Sequence, residues 1–219
     1  MTQPSNHQPS SSAFTLIELL TVIAIIGVLA SLTVGLTVAA KNARVNSRTQ
    51  TELRQLQTAI EAYKADRNAF PPDHALPRGS AQRVDPVVNQ LYYELRGLDA
   101  IEGGFRLRGE QRGLSVAEIE QVFGRRGFLN SSADPAEPAR SYLDPKASMV
   151  RQVTVRGVTV ELLAAPFEWP GNASDPAPIA GTRVNPWRHV STSPTNNVGQ
   201  YDLWAEVHAG KDKRVFKNW

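Results

Sequence analysis

The sequence predicts an α+β fold, with one long N-terminal α-helix that is apolar in its first half and a strand-rich C-terminal region. Three observations predict it. Residues 19–40 carry no charge and close the run FTLIELLTVIAIIGVLASLTVGLTVAA, residues 14–40. Residues 41–70 contain neither Pro nor Gly and repeat apolar side chains at helical spacing. Residues 149–169 and 185–219 are rich in β-branched and aromatic side chains set between turn residues.

Composition narrows the classes. With 219 residues and 41% hydrophobic side chains, the chain holds one ordinary core plus a further element. The net charge is +3, and the 24 basic and 21 acidic residues are interspersed. There is no Lys/Arg tract to neutralise phosphates, so no nucleic-acid partner is expected. Cysteine is absent, which excludes disulfides, thiolate catalysis and Cys-ligated zinc.

Residues 1–13, MTQPSNHQPSSSA, form a polar, Pro/Ser-rich leader without Lys or Arg. As a helix, residues 19–40 would be about 33 Å long, close to the roughly 30 Å of a bilayer core. A cleaved secretory signal has a basic start and a shorter apolar run. A buried core helix would show water some polar face. A membrane anchor fits the run but leaves Glu18 to be explained. An ionised side chain inside a membrane costs a few kcal/mol and calls for a partner. One reading lets Glu18 reach the interface from a helix end. The other needs a cation that processing creates. A cut between Ala13 and Phe14 would leave a free ammonium on Phe14, four positions before Glu18. A neighbouring subunit's ammonium could then pair with the acid and set the register of assembly.

The string AFTLIELLTVIAIIGVLASLTV closely resembles the N-terminal signature of type IV pilins and type II secretion pseudopilins, the class III prepilin signal. That pattern is a small residue, then Phe-Thr-Leu-Ile-Glu-Leu-Leu, then an apolar helix. The resemblance implies that Ala13 precedes the bond cut by a prepilin peptidase. Phe14 becomes the N-methylated N-terminus, and Glu18 is the assembly acid. It further implies a structural subunit rather than an enzyme. Its partners would be further copies, related pseudopilins, the peptidase, an inner-membrane assembly platform and membrane lipid. The location implied is a single pass through the inner membrane, with the C-terminal domain periplasmic or, after assembly, on the cell surface. Two departures stand out. Ala13 replaces the usual Gly, and the leader lacks basic residues while Lys41, Arg44 and Arg48 follow the apolar run. Charge counting alone would therefore orient the segment the other way.

Past residue 40 the helix is expected to continue. Leu53, Leu56, Ile60 and Tyr63, flanked by Ala59 and Ala62, make one apolar stripe suited to covering a sheet. Phe70-Pro71-Pro72 is expected to end it, since a residue before Pro is pushed out of the helical region. The chain thus divides into a leader (1–13), a transmembrane or filament-core helix (14–40), an amphipathic continuation (41–70), a variable loop and helix region (71–148) and a β-region (149–219). AIEAYKADRNAFPP is also similar to the helix end of the major pseudopilins. The family implies a helix packed on a small C-terminal antiparallel sheet.

Within 71–148, residues 71–90 read as loop and VNQLYYELRGL as a short helix. GGFRLRG fits either strand or turn. SVAEIEQVFG reads as a helix capped by Ser115, with Glu118 completing a capping box and Gly124 as the stop. Residues 130–147 read as irregular. In the β-region, Val153, Val155, Val158 and Val160 flank a turn or bulge at Gly157. NPWRHVST and YDLWAEVHAGKDKRVFKNW read as closing strands around the turn SPTNNVGQ.

The tail NPWRHVS…YDLWAEV…NW is similar to the C-terminal pattern of major pseudopilins, where a calcium ion ties down the last loop. Asp202 takes the matching position. Calcium wants six to eight oxygens, several charged. Around Glu206 and Asp212 this tail instead carries Lys211, Lys213, Arg214 and Lys217. Asp202 therefore has two readings, a calcium ligand or a hydrogen-bond acceptor at a turn or strand end, and the cations favour the second. No other cofactor is expected. No nucleophile, zinc-protease, phosphate-loop or EF-hand motif is present, and His7, His74, His189 and His208 are not in ligand spacing. Trp169, Trp187, Trp204 and Trp219 read as packing residues. The favoured reading is a filament subunit precursor of a type II secretion pseudopilus or type IV pilus. Its rivals are a monomeric membrane-anchored binding or enzymatic domain and a minor tip subunit.

Overall fold

The computed structural model describes residues 14–76, 79–80, 82–209 and 212–219. The leader, including Ala13, lies outside the described residues. Two compact units are present, Met1–Arg44 and Val45–Trp219. Helix α1 (Leu16–Arg67) supplies most of the first and opens the second.

In the first unit, the side chains of residues 14–31 are exposed throughout, among them Phe14, Leu16, Ile17, Leu19, Leu20, Ile23 and Ile26. Such a surface is costly in water, since each of these side chains is worth roughly 1.5–3 kcal/mol when buried. Among the described residues, no helix is long and apolar enough to cross a membrane.

The second unit is built on the amphipathic part of α1. Val45, Thr49, Glu52, Leu53, Leu56, Ala59, Ile60 and Tyr63 are buried, at alternating short helical steps along one face. The stripe anticipated at Leu53–Tyr63 therefore extends two turns further toward the N-terminus. The helix stops three residues before Phe70. Asn68 adopts a left-handed φ of 54° and donates its N–H to the Lys64 carbonyl at 2.8 Å, a helix stop that Asn tolerates well. Pro71 and Pro72 follow an end already made.

Strands β1 (His74–Ala75) and β2 (Val84–Asp85) form a short antiparallel pair. Helix α2 (Leu91–Arg96) comes next, and its Gly97 C-cap leads into β3 (Leu98–Ile101). GGFRLRG resolves as strand β4 (Gly104–Leu107), hairpinned to β3 and paired on its other edge with β5 (Gly113–Ser115). Gly104 is required there, because a Cβ would run into the Leu114 carbonyl across the ladder. Helix α3 (Val116–Phe123) has the anticipated ends. Ser115 Oγ accepts the Glu118 N–H, Glu118 accepts the Ser115 N–H, and Gly124 stops the helix in the left-handed region. Residues 130–147, expected to be irregular, include β6 (Ser131–Ser132), which pairs parallel with β3, and the start of a 3-10 turn at Ala147–Met149.

Strands β7 (Val150–Val155) and β8 (Val158–Leu163) form the expected hairpin, with positive φ at Arg156 and Gly157 as a tight two-residue turn requires. Strand β9 (Arg188–Val190) pairs with β10 (Asp202–Ala209), which pairs in turn with β11 (Asp212–Lys217). The fold class is α+β as anticipated, an N-terminal helix with C-terminal antiparallel sheets, consistent with a pilin-like fold. Its β-structure is distributed, however. Among the described residues there are four small sheets, ordered β1-β2, β5-β4-β3-β6, β7-β8 and β9-β10-β11.

One core runs through the last three of these sheets. Val45, Leu53, Leu56, Ile60 and Tyr63 of α1 share a buried cluster with Leu91 and Leu95, with Ile119 and Phe123, with Val160 and Leu162, and with Leu203, Ala205 and Val207. Trp169 and Trp187 lie within the fold, while Trp204 and Trp219 stack edge to face nearer the surface. At the centre, buried Glu94 accepts the Tyr63 hydroxyl at 2.8 Å and the N–H groups of Leu129 and Asn130 at 2.9 Å. This network ties α1 to α2 and to the segment before β6.

Candidate functional site

Two places follow from the residues singled out by the sequence. The first is the start of α1. Thr15 is the N-cap: its N–H and hydroxyl donate to Glu18 Oε2 at 2.8 and 2.6 Å, and its Oγ1 accepts the Glu18 N–H at 3.3 Å. This is a complete capping box, in which donors left over at a helix start are satisfied by side chains. Its consequence is positional. The Glu18 carboxylate is drawn back onto Thr15 at the start of the helix, and both bonds it accepts fall on one oxygen. Phe14 is 81% exposed immediately before the capped turn. Further along, Thr21 and Ser31 donate their hydroxyls to carbonyls of the preceding turn, at 2.9 and 2.7 Å, so they present little polar surface on an apolar helix.

The second is the loop from Ser191 to Gln200, between β9 and β10. Asp202 opens β10 and is 2% exposed. Its Oδ2 accepts the N–H groups of Thr195 and Asn196 at 2.9 and 3.0 Å and the Asn196 side-chain amide at 3.0 Å. Its Oδ1 accepts the Asn197 N–H at 2.8 Å. Burial by itself would raise this carboxyl, but the backbone donors of Asn197 and Asn196 outweigh burial and hold it below the ordinary value. Asp202 thus accepts, from the start of β10, the N–H groups of the turn that precedes it.

A second carboxylate, Asp73, reaches the same loop. It is fully buried and accepts the N–H groups of Ser191 and Thr192 at 2.9 and 2.7 Å and the Thr192 hydroxyl at 2.6 Å. Arg125 Nη2 stands 3.7 Å away. Burial works against the charged form here too, and the Thr192 and Ser191 donors win, so its carboxyl also lies below the ordinary range. His189 on β9, fully buried, feels both acids. Among the described residues, neither of its ring nitrogens has a hydrogen-bond partner. Burial pushes its pKa down to about 4, although Asp73 and Asp202 both favour the cation.

Sequence reasoning identified Asp202 but missed Asp73 and His189. Asp73 lies 118 residues before Ser191, and nothing local in FPPD marks it as a loop anchor. A weak signal was present in His189, an ionisable residue in a strand pattern between Trp187 and Val190. Among the described residues, no three His, Asp or Glu side chains are grouped to hold a metal ion. Asn130, in an Asn-Ser-Ser glycosylation pattern, is buried against Glu94 and Arg140 and is an internal strut.

Comparison with known proteins bears on the first place. Residues 9–34 match the family model described as the prokaryotic N-terminal methylation motif. The chain carries a class III prepilin signal. That signal is consistent with a type IV pilin-like family of structural subunits, with processing by a prepilin peptidase, and with a membrane-anchored N-terminus. No curated protein and no solved structure matches the chain.

Proposed function

We propose that this chain is the precursor of a structural subunit of a type II secretion pseudopilus or type IV pilus-like filament, and that it is not an enzyme. Prepilin peptidase cuts between Ala13 and Phe14, and Phe14 is N-methylated. The mature subunit sits in the inner membrane through residues 14–40 until it is drawn into a filament with further copies and related pseudopilins on an inner-membrane assembly platform. The observation that carries this reading is the prepilin motif at residues 9–34, followed by a helix that exposes apolar side chains with a carboxylate in its first turn. Such a surface is stable in lipid or against copies of itself, and not in water.

Glu18 has the chemistry for assembly. The capping box occupies Oε2 with the chain's own Thr15, and a neighbouring Phe14 ammonium would satisfy the charge that remains. The tail resemblance favours the pseudopilus over the pilus. The test is intact-mass measurement on protein recovered from membranes, together with a Glu18→Ala variant. The expected mass lacks residues 1–13 and carries one added methyl group, and the variant stays inserted but forms no filaments. An uncut chain that does not self-associate, or a variant that assembles normally, would refute the proposal in favour of a monomeric anchored domain.

A further inference from the structure

The loop Ser191–Gln200 is held by acceptors on the surrounding fold and by donors on the loop itself. We propose that this chain closes its C-terminal loop with two carboxylates, Asp73 and Asp202, and without a metal ion, so that loop order is indifferent to calcium and to chelators. The inference is independent of the filament reading.

The donor set decides it. A calcium site needs six to eight oxygens pointing at one centre. Around Asp202 the loop turns its N–H groups inward, those of Thr195, Asn196 and Asn197, with the Asn196 amide beside them. These groups present the positive ends of their dipoles, which stabilise the carboxylate and repel a cation. Nearby carbonyls that a cation would recruit are also engaged. Tyr201 O accepts the side-chain amides of Asn197 and Asn218, at 3.2 and 2.9 Å, and Asn218 O accepts Asn197. Asn218 Oδ1 in turn takes the Leu203 N–H at 2.9 Å. The nearest further acid on β10, Glu206, is shared by Arg188 at 3.8 Å and Lys213 at 3.5 Å.

Asp73 completes the closure from outside the hairpin. It follows directly on the Pro pair after α1 and clamps the start of the loop at Ser191 and Thr192, while Asp202 clamps its middle. The Ser191 hydroxyl donates to the Pro71 carbonyl at 2.8 Å and fixes the same crossing. The anchor points of these two anions lie three residues apart along the loop, at Thr192 and Thr195, and they restrain it without a cation: they accept its inward-pointing N–H groups and shorten its free length.

The experiment uses the full chain in detergent micelles. Hydrogen exchange at residues 191–200 and the thermal midpoint are read in calcium chloride and in EGTA, for wild type and for Asp202→Ala, Asp73→Asn and Asn196→Ala. Wild type is expected to give the same exchange protection and midpoint in both solutions. Asp202→Ala should speed exchange at residues 195–197 by about tenfold or more, the size expected for losing hydrogen bonds to a charged group. Asp73→Asn should do the same at 191–192. Asn196→Ala, which keeps the backbone donors, should have a smaller effect and remain folded if the acid variants do not. Calcium that raises protection or the midpoint of wild type would overturn the proposal. So would an Asp202 variant that leaves the loop as protected as before.

Discussion

His189 makes the stability of the second unit depend on pH in a calculable way. The ring is fully buried on β9, 6.1 Å from the Tyr201 ring, with Asp73 and Asp202 as the charged groups facing it. Burial depresses its pKa from 6.5 to about 4. Between those values the unfolded chain binds a proton that the folded chain refuses, so stability falls as pH is lowered through the window. Each pH unit costs up to about 1.4 kcal/mol, and the loss between about pH 7 and pH 4.5 is about 2 kcal/mol. Other groups contribute to the raw profile. His74, depressed chiefly by burial, adds a loss of the same sign. Glu52, Glu94 and Glu110, raised chiefly by burial, act oppositely and lose stability as pH rises. Asp73 and Asp202, held low, keep their stabilising charge above the ordinary carboxylate pKa and lose it only as pH falls further. The difference between wild type and His189→Phe removes these shared terms. Urea midpoints of the full chain in micelles, followed by tryptophan fluorescence, should show wild type losing about 2 kcal/mol more than the variant over that range, with His189→Gln behaving alike. Parallel loss in wild type and both variants would refute the reasoning, because His189 would then titrate equally in both states.

Three further outcomes are expected. Ser115→Ala removes the acceptor for the Glu118 N–H and should cost about 1 kcal/mol in urea unfolding, with the frayed first turn of α3 visible in hydrogen exchange. Tyr63→Phe deletes one of the donors to buried Glu94 and should cost about 1–3 kcal/mol by the same measurement, a larger loss than at an exposed site. Gly104→Ala places a methyl against the Leu114 carbonyl and should separate β4 from β5, read as faster amide exchange at residues 113–115 and a loss of about 1–3 kcal/mol.

Much of the fold was legible because it is written over short spacings. The α1 stripe repeats every three or four residues, and the burial of Leu53, Leu56, Ile60 and Tyr63 follows from that repeat. The ends of α3 were legible because Ser115, Glu118 and Gly124 act on their own neighbours. The β7–β8 turn was legible because Gly157 is flanked by alternating valines. Helix α1 ends at Arg67, three residues before the expected stop at Phe70. Pro71 is a strong local signal, but Asn68 stopped the helix first by taking a left-handed conformation that several residue types can adopt.

The sequence by itself determined the prepilin signal that begins at Ala13, the amphipathic helix behind it and the capped α3, because those depend on groups within a turn or two of one another. Only the tertiary structure decided that β3 pairs with β6 in parallel, that the β-structure splits into small sheets, and that Asp73, His189 and Asp202 meet beside one loop. Those outcomes depend on which distant segments are brought together by a shared core. A carboxylate 118 residues from the amide it binds leaves no periodicity to read.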